Sequence, residues 1–151
     1  KIILYLEDDA NMRRHTTNLL KDKHFNVEGF NRIDQAKEYL EHNIANIECV
    51  ITDLNMNDEW LDEYQTETDG GMLSGWVWLQ RFVFVIAPDI PTIIYSGYIP
   101  YLEEYLQKNN QLYLLRKNNI KCVNKDSDEK SGFEGLKKAL DMVLKGETIK
   151  Q

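Results

Sequence analysis

The residues of this 151-residue chain that could do chemistry together are the acidic triplet Glu7-Asp8-Asp9, Asp53, Ser96 and Lys125. Each follows directly on a short β-branched or aliphatic run. If those runs are parallel strands, the groups meet on one edge of a sheet as three or four carboxylates, a hydroxyl and an ammonium. Crowded carboxylates repel and raise one another's pKa. A hard divalent cation relieves that repulsion, and Mg²⁺ is the natural occupant of an oxygen site, with Mn²⁺ as a substitute. Carboxylates, a divalent cation, a lysine and a hydroxyl also suit a transferring phosphoryl group. Asp53 can serve as the nucleophile, the metal and Lys125 neutralise the phosphoryl oxygens, and Ser96 donates a hydrogen bond to one of them.

The elements that must position these groups are legible as an alternation. Lys1–Leu6, Glu48–Thr52, Pro91–Tyr95 and Ile120–Asn124 are nearly continuous apolar runs, the pattern of parallel strands covered on both faces, and Asn26–Phe30 is a weaker strand. Helical periods lie between them. Asn11–Lys23 has a stripe of Met12, Thr16, Leu19 and Leu20, and Asp34–His42 has Asp34 placed as an N-cap. Gly75–Ala87 stops before Pro88, Tyr101–Gln107 starts after Pro100, and Gly132–Leu144 comes last. The order β-α-β-α-β-α-β-α-β-α predicts an α/β fold: a doubly wound, flavodoxin-like sandwich around a five-stranded parallel sheet, one domain over residues 1–151.

Two segments exceed ordinary connections. Residues 57–74 form an acidic insertion with Asp58, Glu59, Asp62, Glu63, Glu67 and Asp69 before Gly70-Gly71, and are read as a solvated, partly disordered loop rather than a lid that slows phosphodonor entry, with a partner contact through Trp60 and Leu61 as the alternative. Residues 108–119 hold Leu112-Tyr113-Leu114-Leu115 and extend the fourth helix or form a short extra one. Trp76 and Trp78, two apart on a helix, should face different ways, one in the core and one partly exposed. His15, His24 and His42 are scattered and read as surface residues, and Asp9 as an N-cap. Cys49 and Cys122 sit in apolar runs without metal spacing and read as buried, reduced thiols.

Composition narrows the function classes. The net charge of −7 speaks against nucleic acid and against anionic membrane surfaces as partners. No apolar run approaches the roughly 20 residues of a membrane span, and Lys1–Leu6 leads straight into acids rather than reading as a secretory signal, so the expected place is the cytoplasm.

The strand ends also resemble a known family. Ile3-Leu4-Tyr5-Leu6-Glu7-Asp8-Asp9, Asn11-Met12-Arg13-Arg14, Asn18-Leu19-Leu20, Phe25-Asn26-Val27, Val50-Ile51-Thr52-Asp53-Leu54-Asn55-Met56, Pro91-Thr92-Ile93-Ile94-Tyr95-Ser96-Gly97 and Lys125 occur in the order of the receiver domain of two-component response regulators. The resemblance implies a signalling domain rather than a classical enzyme, one that assists its own phosphorylation and dephosphorylation. Asp53 is then the phosphoacceptor. Glu7, Asp8 and Asp53 hold Mg²⁺ together with the backbone carbonyl of Asn55, and Ser96 and Lys125 bind the phosphoryl group. The implied partners are a histidine kinase or phosphotransfer protein upstream and a partner protein or output domain downstream. The implied response is a shift of the face made by the fourth helix, fifth strand and fifth helix, where a homodimer would form.

Three positions depart from the family pattern. Asn57 stands where proline usually follows the methionine, Asp126 where proline usually follows the lysine, and Cys122 where an aromatic switch residue often sits. They leave a pseudo-receiver, a protein-interaction module without phosphotransfer, as the alternative. A phosphohydrolase with an aspartate nucleophile is disfavoured, because Asn55 occupies the position of its acid/base and an amide cannot transfer protons at neutral pH. A nucleotide-binding protein is disfavoured because no Gly-rich loop follows the first strand.

Overall fold

A computed structural model of the chain describes residues 1–57, 59–125 and 129–145. Its five strands are β1 (Ile2–Leu6), β2 (Val27–Phe30), β3 (Ile47–Thr52), β4 (Thr92–Ser96) and β5 (Ile120–Asn124), all parallel and in the order β2-β1-β3-β4-β5. The helices between them are α1 (Ala10–Asp22), α2 (Ile33–Asn43), α3 (Gln65–Thr68), α4 (Ser74–Trp78), α5 (Phe84–Ile86), α6 (Ile99–Lys108), α7 (Tyr113–Lys117) and α8 (Glu129–Leu144). This is the doubly wound flavodoxin-like sandwich expected from the alternation. No described helix is long and apolar enough to cross a membrane.

Alternation along the strands divides the core. Ile3, Tyr5, Cys49, Ile51, Ile93 and Tyr95 face Leu20 of α1 and Leu136, Ala139 and Leu140 of α8. Leu4, Leu6, Val50 and Ile94 face α2, the helix that begins at Ser74, and α6. Strands buried on both faces need continuous apolar sequence, which is why these runs stood out. The strand order reverses between β1 and β3, so a crevice opens at their carboxyl ends.

Three local expectations are corrected. Helix α2 begins at Ile33 with Arg32 at its N-cap, and Asp34 lies in the first turn, where its carboxylate takes two hydrogen bonds from the Arg32 guanidinium at 3.0 and 2.9 Å. Trp76 and Trp78 are both buried. They share one cluster because the helix is covered on two sides, by the sheet and by residues 59–68. Those residues are folded rather than disordered: a 3₁₀ turn over Glu59–Tyr64 runs into α3. Trp60 packs tilted and Tyr64 edge-on against Phe82, with ring centres 4.7 and 6.1 Å away, Leu61 is buried, and Arg81 forms a bidentate ion pair with Glu67. Trp60 and Leu61 therefore face the molecule's own core, not a partner.

The helix that carries Phe82 is continuous over residues 74–86 but takes a π-helical turn at Leu79–Val83. Residues 108–119 form the short extra helix α7. The three histidines are exposed, and Asp9 caps α1 by accepting the Met12 N–H at 2.9 Å. Asp58 and Asp126 lie outside the described residues.

Candidate functional site

The register of the sheet places the acids. Leu6 pairs with Thr52, so Glu7 and Asp53 leave neighbouring strands side by side, and the Asp53 N–H donates to the Leu6 carbonyl at 3.1 Å. Likewise Ser96 pairs with Asn124, and the Lys125 N–H donates to the Ser96 carbonyl at 3.0 Å. Glu7, Asp53 and Lys125 each continue by one step the alternation that packs β1, β3 and β5 against α1 and α8.

Glu7, Asp8 and Asp53 each offer a carboxylate oxygen within 4.8 Å of the others. Lys125 Nζ lies 3.0 Å from Asp53 Oδ2, forms a second ion pair with Glu7 Oε1, and sits 5.4 Å from the centre of the Tyr95 ring. Asp53 Oδ1 accepts the Leu54 N–H at 2.7 Å. The two oxygens of Asp53 thus differ: one is held by backbone, the other faces the ammonium.

Electrostatics follow from burial. Glu7 is only 1% exposed. Burial first, then the Asp53 charge, pushes its carboxyl up to about 8, although Lys125 pulls the other way. Burial alone would lower the Lys125 ammonium, but the charges of Asp53 and Glu7 outweigh it and hold its pKa above the ordinary lysine value. Three acids against one ammonium make an electron-rich crevice of hard oxygen donors, in which a cation would displace the Glu7 proton. That donor set fits a divalent cation such as Mg²⁺.

Of the residues singled out in the sequence, the structure brings Glu7, Asp8, Asp53 and Lys125 together. Ser96 is fully buried at the end of β4, joined to Lys125 through its carbonyl, while its hydroxyl accepts the Tyr98 N–H at 3.1 Å. Asn55 is half-buried in the loop after Asp53.

Other residues escaped sequence reasoning. Arg13 donates to the Glu7 carbonyl at 2.8 Å and so steadies the acidic loop from α1. Gly75 lies against Asp53: a Cβ there would stand 1.8 Å from the Asp53 carbonyl oxygen. A glycine at the start of an apolar helix was the available signal for such a close approach. The Asn57 N–H, a donor that a proline at this position would lack, donates to Asp8 Oδ2 at 3.1 Å.

No protein-family model and no curated protein matches the sequence. Solved structures do. A CheY-like response regulator receiver domain protein from Methanospirillum hungatei JF-1 superposes with a TM-score of 0.64 at 18% identity, over 97% of this chain and 98% of that one. The fold is that of receiver domains. The receiver domain of the hybrid histidine kinase CckA aligns over 93% of this chain and 99% of its own with a TM-score of 0.59 at 20% identity. The beryllofluoride-activated NtrC4 receiver domain, solved as a dimer, gives 0.61 at 12% identity over 94% and 98%. In this chain the carboxylates of Glu7, Asp8 and Asp53 gather where β1 and β3 end.

Proposed function

We propose that this chain is a receiver domain that accepts a phosphoryl group on Asp53. The observation that supports the reading best is the meeting of Glu7, Asp8 and Asp53 within 4.8 Å of one another, with Lys125 Nζ 3.0 Å from Asp53 Oδ2. With Oδ1 held by the Leu54 N–H, Oδ2 is the oxygen for attack on the phosphorus of a phosphohistidine. A P–O bond forms, the P–N bond breaks, and the imidazole leaves with the electron pair of that bond. Lys125 then passes from the carboxylate to the transferred group, and the Ser96 hydroxyl, still accepting from Tyr98, donates its proton to a phosphoryl oxygen.

Glu7, Asp8, Asp53 and the Asn55 carbonyl would hold Mg²⁺, or Mn²⁺ in its place. When bound, the cation offsets charge on the transferring oxygens. The donor would be a histidine kinase or a phosphotransfer protein. The response would pass through α6, β5 and α8 to a partner protein, an output domain or a second copy of the chain.

The pseudo-receiver reading rests on the departures at Asn57, Asp126 and Cys122, and of these Cys122, half-buried on β5, offers no aromatic ring to move. The two readings separate by intact mass after incubation with acetyl phosphate and Mg²⁺. Gain of one phosphoryl group that requires Mg²⁺ and is lost in Asp53→Asn supports the phosphoacceptor. A folded wild type that gains nothing, from acetyl phosphate or from a phosphorylated histidine donor, refutes it.

A further inference from the structure

Residues 57–71 leave and return at a single point. The Met56 N–H donates to the Gly71 carbonyl at 3.3 Å, and Ser74 Oγ bridges the Met56 and Gly71 carbonyls at 2.9 and 2.8 Å. That point is next to the acidic crevice, because the Asn57 N–H is bonded to Asp8 Oδ2. The body of the segment is fixed on the long helix by Trp60, Tyr64 and Phe82. Its return is fixed separately: Asp69, two residues before Gly71 and in a left-handed conformation with φ 51°, takes a hydrogen bond from the Tyr101 hydroxyl in the first turn of α6. The joined ends of the segment therefore touch both a carboxylate of the crevice and the helix that follows Ser96.

We propose that Asp69 and Tyr101 are positioning residues for the cation site, acting through this segment on Asp8. The inference rests on the reading of the crevice as a Mg²⁺ site. A carboxylate has room for several partners. With Oδ2 of Asp8 held by the Asn57 N–H, the side chain is fixed before the cation arrives, and the carboxylate keeps lone pairs with which to bind it. The Tyr101–Asp69 bond keeps the segment, and with it Asn57, in place. By reciprocity, a cation on Asp8 tightens the segment's hold on α6, because binding energies at linked sites are coupled equally in both directions. This gives the crevice a connection to α6 that does not pass through Cys122 on β5.

The test measures Mg²⁺ affinity by calorimetry for the wild type, Tyr101→Phe, Asp69→Asn and the double variant. Both changes are mild: phenylalanine keeps the ring, and asparagine tolerates the left-handed backbone. Amide exchange of residues 59–72 is followed with and without Mg²⁺, and the stability of the metal-free proteins is recorded in urea. Each single variant is expected to bind Mg²⁺ at least about fivefold more weakly. The double variant should be no worse than either single one, since both remove one contact. Mg²⁺ should slow exchange of the segment in the wild type and not in Tyr101→Phe. Unchanged affinities, a change confined to urea stability, or additive losses in the double variant would each overturn the proposal. A wild type that binds no Mg²⁺ would overturn the metal site itself, and the positioning role with it.

Discussion

Glu7 is the most deeply buried of the crevice acids, and it sets the pH response of the metal-free protein. Its carboxyl is pushed up to about 8, first by burial and then by Asp53. The folded state therefore holds a proton that the unfolded chain gives up near ordinary glutamate pH. Stability from this group is complete below the unfolded pKa and is lost as pH rises through about 8. Urea denaturation without metal should show a loss of roughly 2–4 kcal/mol between about pH 5 and about pH 9. Saturating Mg²⁺ should flatten that profile, and Glu7→Gln should remove most of it. Gly75 makes a second prediction at this scale. Gly75→Ala sets a methyl group 1.8 Å from the Asp53 carbonyl oxygen, so the backbone must move. The cost should be about 3 kcal/mol in urea, and the rate of phosphorylation by acetyl phosphate should fall as Asp53 is displaced. Glu7, Asp8, Asp53 and Lys125 were legible in the sequence because each stands within two residues of a strand's carboxyl end. Gly75 was not, since its constraint comes from a backbone atom of another element.

Among the elements, strands and long helices were legible for a common reason: burial on known faces leaves a period in the sequence. The segment before Ser74 had no such period. Trp60, Leu61 and Tyr64 are single apolar residues among acids, and the ring they need, Phe82, comes much later in the chain. The same long-range contact explains why Trp76 and Trp78 are both buried, since the segment covers the helix face that would otherwise meet solvent. Phe82 is half-buried and is the centre of this contact, with Lys37 Nζ also 5.9 Å from its ring. Phe82→Ala should cost about 2 kcal/mol, below the ~3–5 kcal/mol of a fully buried ring. Limited proteolysis should then cut within residues 59–68 first, while the circular dichroism of the sheet and helices persists. The exposed Arg81–Glu67 pair matters less. Glu67→Gln should change stability by under about 1 kcal/mol.

At the scale of the whole molecule, two cores on either side of one sheet enclose the thiols unequally. Cys49 is fully buried, and burial pushes its thiol far up. Burial followed by the Glu103 charge brings Cys122 up to about 12. Since the thiolate is the reactive form, neither cysteine should be alkylated by iodoacetamide in the native protein at neutral pH, and both should be modified in urea, as intact mass will show. The direction of the sheet, and with it the convergence of the acids, could be read from the β-α alternation. The depth of Glu7 could not, because it depends on how α1 and α8 close over the strand ends. Finally, because Met56 and Gly71 meet, the sheet is indifferent to the length of what lies between them. A foreign domain could be spliced in at an exposed position of this segment, such as Glu63, with the strands undisturbed. The junction is a socket one residue pair wide, set beside β3, and through it an engineer can change what the crevice communicates with as long as Asn57 keeps its bond to Asp8.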